Sequence, residues 1–241
     1  MHDARSACAA GSSDHQQDGE PPAAAATAPD PPLLAGGPHA AELIAAERLS
    51  PEPQFRIVRE EVVHQGAVHE FDVAGHPQAE FHYAVVFPYH RQDNTVTLVR
   101  EYAQGLNSMV WCLPTGAYDP RKHASYEACA RAELSEEAHL AGGAWVSLMP
   151  DGHPGIPEVK WCRNRFHAYL VLDPQPDAQP GARDKEEYIQ ACLPGVCRVG
   201  LPELRSLMLG GEMLLPSITT CFWAMERIQE LRQQGQQAGL G

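Results

Sequence analysis

Runs rich in β-forming apolar residues, separated by turn signals, occupy the first half of the chain. Residues 55–63 (FRIVREEVV) and 68–73 (VHEFDV) read as strands, with Gln65 and Gly66 turning between them. Residues 82–89 (HYAVVFPY) form an apolar run, residues 91–94 turn the chain, and residues 95–102 (TVTLVREY) give the next strand. Residues 109–113 (MVWCL) predict another short strand, and a helix follows over about 126–140. In the second half, residues 166–172 (FHAYLVL) read as a strand and residues 173–183 as a Pro/Gly-rich loop. Residues 187–191 and 197–199 supply two further candidate strands. Pro202 sits at the permitted first turn of a helix over 202–209, and Gly210 and Gly211 end it. Ser217 is the candidate N-cap of a last helix over about 217–233. Strands and helices mix without strict βαβ alternation. The expected fold class is therefore α+β, a mixed sheet in an α/β/α sandwich rather than a doubly wound sheet.

The first 39 residues break this pattern. They hold Pro21-Pro22, four alanines from Ala23 to Ala26, Pro31-Pro32 and Gly36-Gly37, with no aromatic residue and no Ile or Val. Such a stretch cannot bury enough apolar area to offset chain entropy, so disorder is expected there. A short helix around residues 41–48 closes the Ala/Pro/Gly-rich segment. The organisation expected is a tail over 1–48 and one domain over 49–235. The tail has neither the basic start nor the apolar stretch of a secretory signal, and its five acidic residues face a single Arg5, unlike a transit peptide.

Charge removes some function classes. Lys plus Arg number 18 against 31 Asp plus Glu, a net charge of −13, which offers no basic footprint for a nucleic-acid backbone. No apolar run reaches the ~18 residues of a transmembrane helix, so no membrane association is expected. The 7 cysteines are odd in number and lack a Cys-x-x-Cys pair, so neither a zinc site nor a disulfide framework is indicated. Reduced thiols and the lack of a signal make the cytoplasm the default location.

The candidate chemistry lies in residues 113–140, LPTGAYDPRKHASYEACARAELSEEAHL. Glu133, Glu136 and Glu137 are spaced i, i+3, i+4 and fall within an arc of about 100° on one helix face. Three like charges there repel unless a cation relieves them. Carboxylate oxygens are what Mg2+ or Mn2+ prefer. Taken alone, such a cluster is more often a solvated acidic face. Its context differs, because a loop with Pro114, Gly116 and Pro120 precedes the helix directly and brings main-chain groups to the acidic face. The 12 histidines are scattered without ligand spacing, and no serine stands in a G-x-S-x-G context.

LPTG followed by AELSEEAHL resembles the box of Nudix hydrolases, G-x5-E-x7-R-E-U-x-E-E-x-G-U with U apolar. Gly116, Glu133, Leu134, Glu136, Glu137 and Leu140 match it. Beyond the box, VTLVREYAQG at 96–105, LPTG at 113–116 and the segment at 205–228 look like the ADP-ribose and ADP-sugar pyrophosphatase branch, so the likeness covers roughly residues 52–232. The box is altered: two residues are inserted after Gly116, Ala124 stands for its first Glu, Ala132 for its Arg, and His139 for its late Gly. The loss of one acid and one base together leaves neither stranded.

The resemblance implies a Nudix fold with N-terminal antiparallel strands, a mixed sheet and C-terminal helices. It implies hydrolysis of a nucleoside diphosphate linked to another moiety, an ADP-ribose or ADP-sugar type of substrate that releases a nucleoside monophosphate. Glu133, Glu136 and Glu137, with the main-chain carbonyl of Thr115, would hold Mg2+ or Mn2+. Glu186 and Glu187 are the loop candidates for a catalytic base or extra ligand, and Gly116, Arg163 and Arg165 are candidate substrate contacts. The partner expected is a nucleotide-sugar or dinucleotide small molecule, with a homodimer as the default assembly. The alternative, favoured by the altered box, is a Nudix-fold module that binds a nucleotide or a partner protein without turnover.

Overall fold

The computed structural model describes residues 56–64, 67–182 and 196–238. The tail, the expected helix at 41–48, the Gln65-Gly66 turn, the strand expected at 187–191, and Glu186 and Glu187 lie outside the described residues. Among the described residues twelve strands and three α-helices follow one another: β1 (Arg56–His64), β2 (Ala67–Gly75), β3 (His82–His90), β4 (Thr95–Ala103), β5 (Ser108–Cys112), β6 (Thr115–Ala117), α1 (Tyr126–Ala138), β7 (Leu140–Ala141), β8 (Ala144–Ser147), β9 (Ile156–Pro157), β10 (Arg165–Leu172), β11 (Gln175–Pro176), β12 (Val196–Gly200), α2 (Leu201–Leu209) and α3 (Leu215–Ala238).

The central sheet runs β12-β4-β3-β10-β8, with β5 on β4, β6 on β3 and β9 on β10. Only β3 and β10 pair in parallel; the other pairs are antiparallel, so the sheet is mixed. Alternation along the strands sends side chains to two faces. On one face Val85, Phe87, Leu98, Phe166 and Leu170 pack under Leu204 and Met208 of α2 and Cys221, Ala224 and Ile228 of α3. On the other Ala84, Val86, Val99, Cys112 and Val171 pack under Cys129, Ala130, Leu134 and Ala138 of α1. This is the expected α/β/α sandwich, with α1 the one helix on its face among the described residues.

The path of β3 and β4 creates the space for chemistry. They pair only at Tyr89↔Val96 and His90↔Thr95 and then part. β5 takes the freed edge of β4 and β6 the freed edge of β3. Leu113 and Pro114 bridge the gap between β5 and β6. Three bonds fix that bridge: Leu113 N donates to Ser217 Oγ at 3.0 Å, Val86 N to the Pro114 carbonyl at 3.0 Å, and Thr115 Oγ1 to the Leu113 carbonyl at 2.7 Å. Ser217 therefore does not cap α3, which begins two residues earlier; its hydroxyl serves the Leu113 bridge.

Candidate active site

Helix α1 starts at a cap that the sequence supplies: Ser125 Oγ accepts from Ala128 N at 3.1 Å. It ends where His139 turns left-handed at φ 54°, the position of the box glycine, with its N–H donating to the Leu134 and Ser135 carbonyls. Along the inner face of α1 run Cys129, Ala130, Glu133, Leu134, Glu137 and Ala138, all buried. Glu133 and Glu137 are only 8% and 3% exposed. A solvated acidic face would leave them in water, so that alternative fails for these two.

Strand β6 lies directly against them. Thr115 N donates to Glu137 Oε2 at 2.8 Å. Gly116 is open on the α1 side because the Glu133 carboxylate fills the place a side chain would take: a Cβ there would stand 1.9 Å from Glu133 Cδ and Oε1. The box glycine is thus required by the box glutamate. Two buried thiols register the same carboxylates. Burial pushes the Cys129 thiol far up, and Glu133 adds to it. Burial likewise pushes Cys112 far up, followed by Glu101 and Glu137, and the Cys112 thiol hydrogen-bonds Glu101. Glu101 of β4 therefore joins Glu137 beside Cys112. The signal for it in the sequence is its parity with Val99, which faces α1.

Glu136 meets a further segment. It packs on Gly181, whose added Cβ would stand 2.5 Å from Glu136 Cγ. That segment is tied to α1 by Ser135: Gly181 N donates to Ser135 Oγ at 3.0 Å, and Ser135 Oγ donates to Asp177 Oδ2 at 2.6 Å. The three glutamates hence face two surroundings. Among the described residues no three His, Cys, Asp or Glu side chains converge as a metal cage. The hard oxygen donors of Glu133 and Glu137, buried side by side with main-chain groups of β6, still fit a hard divalent cation by donor type.

The remaining candidates are placed as follows. Arg163 sits over the Phe81 ring at 5.2 Å. Arg165 Nη1 donates to the Gly155 carbonyl at 3.0 Å. Arg131, next to the missing box arginine, turns outward to Glu127 at 2.6 Å and stacks over Trp145 at 4.4 Å, so it does not stand in for the residue at Ala132. Trp161, a core candidate by residue type, is 65% exposed. Sequence reasoning also missed a histidine pair at the start of α1. His82 Nδ1 and His167 Nε2 are 3.1 Å apart, and Tyr126 stacks on His167 with centroids 3.6 Å apart at 13°. Burial, then His82 and His153, lower the pKa of His167 to about 4.

The fold is a mixed-sheet sandwich whose helix α1 buries two glutamates against a glycine-bearing strand. A family model for the NUDIX domain matches residues 80–204, over half of the chain, and the chain belongs to that family. Among solved structures, it is similar to the crystal structure of an ADP compounds hydrolase: TM-score 0.56, 16% identity, covering 77% of this chain and 92% of that one. It is also similar to the NUDIX domain of Shewanella oneidensis NrtR complexed with ADP ribose: TM-score 0.43, 21% identity, covering 61% of this chain and 86% of that one. At 16% identity the likeness to the ADP compounds hydrolase concerns the fold. No curated protein matches the sequence.

Proposed function

We propose that this protein hydrolyses a nucleoside diphosphate joined to a sugar, of the ADP-ribose or ADP-sugar type, releasing a nucleoside monophosphate. The observation that carries this reading is the burial of Glu133 and Glu137 against β6 in a NUDIX domain. Glu133 and Glu137 would hold Mg2+ or Mn2+, with Glu136 and the Thr115 carbonyl as further candidate oxygens. A divalent ion bound there supplies charge neutralisation at the diphosphate and lowers the pKa of a bound water. The chain's own part is positioning. The Thr115–Glu137 hydrogen bond fixes β6 on α1, and Gly116 lets the Glu133 carboxylate lie flush against the strand. Arg163, just before β10, and Arg165, at its start, remain candidate contacts for the diphosphate, and Glu186 and Glu187 candidate bases. The branch resemblance of residues 96–105 and 113–116 supports the ADP-type substrate. We also propose a homodimer, supported by exposed apolar residues on the β1–β2 hairpin.

The test is a panel of ADP-ribose, ADP-glucose, NADH and diadenosine polyphosphates with Mg2+ or Mn2+, scored for AMP. Turnover should stop with chelator, and Glu133→Gln and Glu137→Gln should each lower kcat by about a hundredfold or more. Turnover that survives both substitutions rejects the assignment. The alanines at 124 and 132, with Arg131 turned to Glu127, favour one second reading, binding without turnover. Nucleotides that raise the melting temperature of a protein that hydrolyses none of them would establish it.

A further inference from the structure

A cavity of about 350 Å³ opens where β3 and β4 part, beside Thr115. Its floor comes from four strands, through Tyr83, Glu101, Cys112 and Thr115. Residues 214–217, at the start of α3, form one wall, and Glu158 and Val159 form the other. Thr115 is also the residue whose N–H meets Glu137, so the cavity adjoins the acidic helix. Its size suits about one ring with its substituents.

The lining is selective in charge. Among the described residues its ionisable carboxyls are Glu101 and Glu158, and no lysine, arginine or histidine lines it. Glu158 is held in place, because Oε2 accepts from Asn164 Nδ2 at 3.2 Å and from Cys162 Sγ at 3.4 Å. The Tyr83 hydroxyl is buried and has no hydrogen-bond partner among the described residues. Burial, followed by Glu158, keeps that phenol protonated. A buried hydroxyl without a partner is costly, and here a ligand can supply the partner. Carboxylates only accept, so the cavity asks for donors. Sugar hydroxyls can all donate, whereas a purine edge would turn ring-nitrogen acceptors toward the carboxylates. A phosphate in the same space would meet the Glu158 carboxylate, a like charge.

We infer that this cavity receives the sugar joined to the diphosphate, and that Tyr83, Glu101 and Glu158 select a neutral, hydroxyl-bearing ring over the same ring carrying a phosphate. The inference rests on the diphosphatase reading and names the class of its second moiety. Full-length protein would be assayed on ADP-ribose and on ADP-ribose bearing a phosphate on its distal ribose. The neutral compound should be favoured by about tenfold or more in kcat/KM. Glu158→Gln should bring that ratio close to one, mainly through the KM of the phosphorylated compound. Tyr83→Phe, which keeps the ring and its packing, should raise KM for ADP-ribose by about tenfold. Equal kcat/KM in the wild type overturns the inference while leaving the diphosphatase intact. So does a ratio unmoved by Glu158→Gln in a protein that melts like the wild type. If neither compound is hydrolysed, calorimetric titration of the same two is read instead. Preference for ADP-ribose then supports the cavity and rejects turnover, and equal or no binding rejects both.

Discussion

His139 shows how one side chain records a departure from the family pattern. It occupies the left-handed position after α1, at φ 54°, where the box carries glycine. A Cβ in that region costs about 1–2 kcal/mol, of which a glycine's freer unfolded chain gives back part. His139→Gly is therefore expected to raise unfolding stability by about 1 kcal/mol in urea titrations. No change would mean that the imidazole makes up the difference. Gly116 is the converse case, since it keeps the family residue for a reason visible only in three dimensions: the Glu133 carboxylate occupies its Cβ space. The acidic triplet could be read directly from spacing, because i, i+3, i+4 fixes a helix face. Burial of Glu133 and Glu137, and the turn of Glu136 toward Gly181, could not, because they depend on which segments pack on that face. Glu101 and Tyr83 stayed hidden for the same reason: each stands in a strand that reads as core.

At the level of elements, the long strands and all three helices were legible because each has its own apolar period or cap. The short strands β6, β7, β8, β9 and β11 were not, since two to four residues carry no period; β6, β8 and β9 form on the edges of longer neighbours, and β7 and β11 only on each other. The parallel pairing of β10 with β3 was equally hidden. That pairing sets His167 beside His82 and under Tyr126, the first residue of α1. Arg165 and Glu80 act on His82, and His82 and His153 on His167. Both histidines have lowered pKa values, chiefly from burial, His167 to about 4. The folded protein thus keeps His167 neutral where the unfolded chain binds a proton. Stability is fully present above pH 6.5 and falls as pH drops from 6.5 toward about 4. The His167 share of that loss is at most about 3 kcal/mol. His167→Gln should make the slope of stability against pH shallower across that window, as read from urea unfolding at pH 7, 5.5 and 4.5. A slope equal to the wild type's would place the acid sensitivity elsewhere, with His90 the next candidate because burial and Arg198 lower it too.

For the whole molecule the open question is what covers the β1–β2 hairpin. Its nine residue pairs form a sheet of their own, joined to no strand of the central sheet. A lone hairpin is marginal in water. This one also exposes Ile57 at 73%, Val63 at 72%, Val68 at 62% and Phe71 at 54%. By the pairing register Ile57, Val63 and Val68 fall on one face of the ribbon and Phe71 on the other; in the proposed homodimer a second copy would cover the three-residue face of both hairpins at once in a self-complementary way. Light scattering should then return twice 26.3 kDa, with a melting temperature that rises with protein concentration. Ile57→Lys with Val68→Asp, both on that face, should return 26.3 kDa. The base of the hairpin adds a second readout. Ala74 N donates to the Trp161 carbonyl and Arg163 N to the Ala74 carbonyl, both at 2.8 Å. The segment so anchored carries Glu158, the outer wall of the cavity beside Thr115. Releasing the hairpin from its partner loosens that wall before it reaches α1. The monomeric variant should accordingly show a raised KM with a smaller change in kcat. A wild type that is already monomeric at every concentration tested would reject the interface, and a monomeric variant with unchanged KM would reject its link to the cavity.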